Sequence, residues 1–249
     1  MLTLTACSDD NTNDSNNDKG NGIENGSILK GTITEDVTLK AGNTYKLSGE
    51  YIVEAGATLN IEEGVKIISV YDNIVDYILV KQGAKINAVG TPDKPIVMTS
   101  EKEEPGAWGG IHICGKAHTN AEGGKGSSEI GGAVYGGNDD ADNSGTLQYI
   151  RLEYTGFAFD EEHEANGISF YGVGNGTIVD HCEAYKGSDD GFEFFGGSVN
   201  VSNMVVVSCS DDSFDWTEGW NGKGTDLVAY QEAKATLGYL SLIHISEPT

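Results

Sequence analysis

Apolar and polar residues alternate over short runs in the second half of the chain, and the runs recur. Gly187-Ser188-Asp189-Asp190-Gly191-Phe192-Glu193-Phe194 returns 22 residues later as Cys209-Ser210-Asp211-Asp212-Ser213-Phe214-Asp215-Trp216. The preceding segments keep that spacing, with Thr177-Ile178-Val179 to Tyr185 lying over Val199-Asn200-Val201 to Val207. One step upstream, Thr146-Leu147 to Gly156 matches Thr177-Ile178 to Gly187 at an offset of 31. The surplus falls in Asp160-Glu161-Glu162-His163-Glu164, an acidic loop inserted into one turn, after which Gly167-Ile168-Ser169-Phe170 aligns with the strand at Gly191. Nearer the start, Val53 to Ile67 reads as two short strands about a glycine turn, and Val80 to Ala88 repeats the pattern at an offset of 27. Thr91-Pro92-Asp93-Lys94-Pro95 is a turn signal before the strand Ile96-Val97-Met98-Thr99.

A period near 22 residues, with strand alternation and no helical periodicity, predicts an all-β parallel solenoid in which each rung buries its apolar face on the next. A jelly roll or propeller would not return matching side chains at a single-rung offset. Alternation places Ile168, Phe192 and Phe214 in one interior stack and Phe170, Phe194 and Trp216 in a second, with rungs roughly 4.8 Å apart. Ser169, Glu193 and Asp215 then face outward, as does His112 between Ile111 and Ile113. A long polar excursion runs from His118 to Ser144.

Composition narrows the partners. Against 39 Asp and Glu there are 15 Lys and Arg, a net charge of −24, which disfavours nucleic acid because phosphate binding needs a basic face. Glycine, at 35 of 249 residues, is about twice the average usage of roughly 7%, as many tight turns require.

Both ends differ from the middle. Leu4-Thr5-Ala6-Cys7 resembles a bacterial lipobox, which implies lipidation of Cys7, although the six residues before it are too few for a signal peptide and point to a truncated or mis-set start. Residues 8–26 are Asn, Asp, Ser and Gly with almost nothing apolar, the composition of a flexible stalk. Ser8-Asp9-Asp10 is similar to the acidic export signals of surface lipoproteins in Bacteroidetes-type bacteria. Leu240 to Thr249 drops the glycine, the aspartate and the repeat phase together, and resembles translated transposon-end and sequencing-adapter DNA. The expected organisation is a lipobox remnant and stalk over 1–27, a C-terminally truncated β-helix domain over 28–239, and a non-native tail over 240–249.

Within 28–239, the run from Val53 to Ser100, Pro105-Gly-Ala-Trp-Gly-Gly110, Val134-Tyr-Gly-Gly-Asn138, Lys186 to Gly191 and Asp211 to Asn221 resemble right-handed parallel β-helix surface lipoproteins of Bacteroidetes-type bacteria, pectin-lyase-like in fold. The resemblance implies a right-handed β-helix with inserted loops, anchored at the outer membrane and cell surface through lipid. It carries little activity with it.

Chemistry concentrates where the repeat stacks Asp189 under Asp211, Asp190 under Asp212 and Glu193 under Asp215. Like charges this close disfavour joint ionisation, so something must compensate. A bound Ca²⁺ would, taking Asp189, Asp211, Glu193 and Asp215 as ligands. Catalysis is a second reading. Paired carboxylates serve glycoside hydrolysis, and the Asp-Asp pair resembles that of polygalacturonase-type β-helices, although their Gly-His-Gly and Arg-x-Lys motifs are missing. On this reading Asp189, Asp190, Asp211 and Asp212 form the catalytic face and Lys186 is the nearby base a lyase would need. Turn capping by aspartate is the third.

Trp220, in a turn, and Tyr230 are the candidate sugar-stacking rings, whereas Trp216 belongs to the core by its alternation. Cys114, Cys182 and Cys209 lack the spacing of a zinc site, and Cys182 and Cys209 are 27 apart, off the period of a ladder disulfide. Asp139-Asp140-Ala141-Asp142-Asn143 lacks the glycine and closing glutamate of an EF-hand. The sequence is best read as a glycan-binding or adhesion module for an extracellular glycan or surface partner, stabilised by Ca²⁺. A polysaccharide lyase or glycoside hydrolase, and a spacer solenoid, are the alternatives.

Overall fold

The structure is a computed structural model that describes residues 22–70, 72, 74–158 and 163–232. Cys7, residues 8–21 of the expected stalk, residues 160–162 of the acidic loop and the 240–249 segment lie outside the described residues, whereas Gly22–Ile23, read as stalk, is a strand paired in parallel with Val37–Leu39, so the solenoid starts before residue 28. No α-helix occurs among the described residues, and one 3₁₀ turn, Glu122–Gly124, interrupts an otherwise all-strand chain.

Strands wind into a right-handed parallel β-helix of three faces. The first face stacks Val37–Leu39, Thr58–Ile61, Lys85–Val89, the start of Gly145–Glu153, the start of Ile178–Tyr185, and Asn200–Ser202. The second stacks the start of Thr44–Val53, Lys66–Ser69, Ile96–Ser100, the ends of the two long strands, Val205–Val207 and Val228–Tyr230. The third stacks the end of Thr44–Val53, Tyr77–Val80, Ile111–Cys114, Ile168–Tyr171, Phe192–Phe195 and Phe214–Thr217. Every one of these pairings is parallel, as a chain that climbs one rung per circuit requires.

The interior follows the alternation. Ile168, Phe192 and Phe214 are in register, as are Phe170, Phe194 and Trp216. Phe170 lies on Phe194 with ring centroids 5.1 Å apart and 10° between planes, and Phe192 on Phe214 at 5.8 Å and 17°. Stacks of this kind add roughly 0.5–1.5 kcal/mol per pair to the burial itself.

One register differs from the sequence reading. Thr146 pairs with Ile178, not Thr177, so the offset is 32 and not 31. Matching Thr146 to Thr177 by letter sets Leu147 over Ile178, which is exposed, whereas the true register sets Leu147 over Val179, both buried. Burial decides, because a slip of one residue turns every side chain to the other face.

A second difference has larger consequences. The excursion between Cys114 and Gly145 does not hang in solvent. It folds back over the outer surface of the third face, carries the antiparallel hairpin of Gly126–Ser127 with Val134–Tyr135, and seats Ile130, Ala133 and Tyr135 against Tyr77, Leu79, Cys114, Ala165, Tyr171 and Phe195. This makes a second apolar core outside the barrel. His112 and Ser169 therefore point away from the solenoid interior, as alternation requires, yet both are fully buried.

Candidate functional site

The turn from the second face to the third begins at Lys186, whose φ of 55° lies in the left-handed region, and runs through Asp189-Asp190 to Gly191. A side chain at Gly191 would meet Val206 Cγ2 at 2.6 Å and the Ser213 carbonyl at 2.7 Å, so the backbone passes where no Cβ fits. Asp190 binds the rungs on both sides. Its N–H donates to Asn166 Oδ1 at 3.2 Å, its carbonyl accepts from Gly167 N–H at 3.0 Å, and its Oδ1 accepts from Asp212 N–H at 2.8 Å.

Stacking this turn on its successor brings the predicted carboxylates together in two groups that share Asp190. Ligand oxygens of Asp189, Asp190 and Asp211 lie within 4.8 Å of one another, and so do those of Asp190, Glu193 and Asp215. Asp190 is buried, Asp189, Glu193 and Asp215 are half-buried, and Asp211 is exposed at the rim. Glu193 Oε2 accepts from Asn166 Nδ2 at 2.5 Å, and the same amide donates to Ser169 Oγ at 3.1 Å.

Burial, and then the neighbouring carboxylates, push these acids upward: Asp189 to about 7, Asp190 to about 9, and Glu193 well above the ordinary range. The charges acting most strongly on the three are all acidic. Glu129, on the covering insert, joins the group electrostatically and is itself raised to about 7, chiefly by burial. The Tyr171 hydroxyl beneath it is fully buried, makes no hydrogen bond of ordinary geometry, and is raised by burial and by Glu129 and Glu193.

The donor set fits a hard cation. Ca²⁺ takes oxygens at roughly 2.3–2.6 Å, so two oxygens on one ion are at most about 5 Å apart, and each carboxylate group meets that limit. Asn166 holds the carboxylates in place, its Nδ2 donating to Glu193 and its Oδ1 accepting from the Asp190 N–H.

The other predicted residues fall elsewhere. Asp212 is buried beside the nest with its N–H on Asp190. Lys186 turns away: its Nζ is 3.2 Å from Glu232 Oε2 and 5.0 Å from the Tyr185 ring centroid. Trp216 is half-buried on the core, and the Trp220 ring lies on Phe194 at 4.6 Å with its Nε1 donating to the Val199 carbonyl at 3.1 Å. Tyr230 is 59% exposed on the second face. Cys114, Cys182 and Cys209 are buried free thiols. In the 139–143 loop the carboxylates serve the chain itself, Asp142 accepting from Lys116 N–H and Asp140 from His118.

Sequence reasoning missed Asn166, which takes the position of Asp190 one rung earlier, two residues before Ile168 as Asp190 is two before Phe192, and Glu129, which sits in a loop with no repeat phase. It also missed an open cleft of about 300 Å³ on the second face, where Tyr149 stacks on His181 at 4.4 Å beside Arg151, Glu183 and Asn203.

A family model of pectate-lyase-like β-helix domains matches residues 31–241, most of the chain, so the chain belongs to that family of carbohydrate-related or structural solenoids. No curated protein and no solved structure matches it significantly.

Proposed function

We propose that this chain is a cation-stabilised binding module for an extracellular glycan or surface partner, held at the outer membrane by lipid on Cys7. The observation that carries the reading is the pair of carboxylate groups sharing Asp190, with ligand oxygens within 4.8 Å and acidic groups as their dominant neighbours. Such an arrangement is costly without a counter-charge, and Ca²⁺ held by Asp189, Asp190, Asp211, Glu193 and Asp215 supplies it. The cation ties two rungs together at the turn that leads into the insert-covered face. Glycan contact then falls to open surfaces, the Tyr149–Arg151–His181 cleft and the exposed Tyr230 among them, where ring faces and paired charges suit sugar hydroxyls. Membership of a pectate-lyase-like family supports carbohydrate as the partner class. A lyase working from this face would need a base beside the carboxylates, and Lys186, bound to Glu232, is drawn off that duty.

Calorimetric titration of the full chain with CaCl₂, followed by glycan-array binding in Ca²⁺ and in EGTA, tests the reading. Saturable Ca²⁺ uptake that is lost in Asp190→Asn, together with a glycan signal, is the expected result. No uptake by the wild type removes the cation, and depolymerisation of a bound glycan replaces the binding module with an enzyme.

A further inference from the structure

The insert between Cys114 and Gly145 is closed over the third face by contacts gathered at its two limbs, and one residue links them. His118 Nδ1 is 2.8 Å from Asp140 Oδ1 on the returning limb, and its Nε2 is 2.8 Å from the carbonyl of Gly219 in the turn after Phe214–Thr217. Both partners are acceptors only. A neutral imidazole has one N–H and can satisfy one of them, whereas the imidazolium has two and satisfies both. We propose that His118 is a charge-dependent latch: as the imidazolium it pins the insert over the third face, and on losing its proton it frees the insert to open.

The surrounding geometry fits a latch. Around His118 the insert and two successive solenoid turns exchange further bonds: Asn120 N–H donates to the Glu218 carbonyl at 3.0 Å, Gly197 N–H, in the turn after Phe192–Phe195, to the His118 carbonyl at 2.7 Å, and Thr119 Oγ1 and Tyr135 Oη to the Glu218 carboxylate. The charged group facing the ring is thus Asp140 from the insert, while the Glu218 carboxylate of the turn is held by Thr119 and Tyr135. Burial works against the charge on His118, but the Gly219 carbonyl and the Asp140 carboxylate outweigh it and raise the group above its ordinary value of 6.5. A histidine raised in the folded state holds its contribution fully below the unfolded value and loses it as pH rises through the folded value. Opening therefore belongs to pH values above the ordinary histidine range. What it uncovers is the second core and the buried side of Glu129, Tyr171 and Glu193. The latch does not depend on the cation reading, because its residues are not among the carboxylates proposed as ligands.

The test is hydrogen exchange by NMR on the full chain between pH 5.5 and 9, corrected for intrinsic rates, with the His118 ring nitrogens followed in parallel. The amides of Asn120 and Gly197, which bridge insert and solenoid, are expected to lose at least tenfold in protection through the His118 titration, while Val201 N–H, bonded to the Lys223 carbonyl, is unchanged. Asp140→Asn is expected to move that loss to lower pH, and His118→Gln to abolish its pH dependence. A singly protonated His118 ring at pH 5.5 to 6, or protection of Asn120 and Gly197 that is flat through the titration, overturns the latch. If His118→Gln fails to fold, an unmoved midpoint in Asp140→Asn does so as well.

Discussion

Asp190 of one rung accepts the backbone N–H of Asp212 in the next through Oδ1, at 2.8 Å. That bond makes the carboxylate part of the main-chain ladder and fixes where its charge sits, next to Asp189, Glu193 and Asp215. Capping and cation binding are therefore not rival uses of this residue, since the cap is what holds the ligand in place.

Two substitutions at Asp190 separate its roles. Asp190→Asn keeps an acceptor for Asp212 and can carry no charge, so the cation-free variant is expected to match the wild type near neutral pH, where Asp190, raised to about 9, is protonated, and to be the more stable above it. Asp190→Ala leaves a buried N–H without its acceptor and is expected to cost about 1–3 kcal/mol in a denaturant melt.

The raised acids make the cation-free protein weaken with pH. A carboxyl whose folded value lies above its unfolded value, near 4, stabilises fully below that unfolded value and loses the contribution as pH rises through the folded one. With Asp76 raised to about 6, Asp189 to about 7 and Asp190 to about 9, the loss is spread over pH 4 to 9. Urea midpoints measured in EDTA are expected to be lower at pH 8.5 than at pH 5.5, and excess Ca²⁺ should shrink the difference.

Acid acts in the opposite sense on Asp180. Despite some burial, hydrogen bonds from Asn203, Ser202 and His181 bring it down to about 2, so its contribution is present above the unfolded value and is lost as pH falls from about 4 to 2. Asp180→Asn should flatten the acid limb of the stability curve in that range and leave the alkaline limb unchanged.

Phe194 carries the interior, lying between Phe170 and Trp220 at centroid distances of 5.1 and 4.6 Å. Phe194→Ala is expected to destabilise the chain by about 3–5 kcal/mol in a chemical melt. Tyr230→Ala, on the exposed second face, should fall within about 0.5 kcal/mol of wild type.

The stacks around Phe192 and Phe194 were legible in the sequence because each rung has the same length there, so identical environments return at a fixed offset. The carboxylate nest was legible for the same reason: aspartates 22 residues apart must stack once the strands beside them do. Where rungs differ in length, letter matching failed by one residue at Thr146, and only burial corrects it. The insert was illegible for another reason. It is polar nearly throughout, and its few apolar side chains, Ile130, Ala133 and Tyr135, follow no period, so nothing in it announces the surface it covers. His112 is buried between Tyr77 and Tyr171, rings that the insert residues Ile130, Ala133 and Tyr135 pack with, which its own strand does not announce.

Thermal unfolding of the full chain at pH 7.5 in millimolar CaCl₂ and in EGTA, for wild type and for Asp189→Asn/Asp211→Asn, reaches the central claim most directly. At a hundredfold excess over Kd, binding to the folded state contributes about 2.7 kcal/mol, which for a chain of this size is a rise of roughly 5–10 °C in midpoint. That rise in the wild type, abolished in the double variant, is the predicted result. Equal midpoints in Ca²⁺ and EGTA would contradict the account and return the stacked carboxylates to turn capping alone.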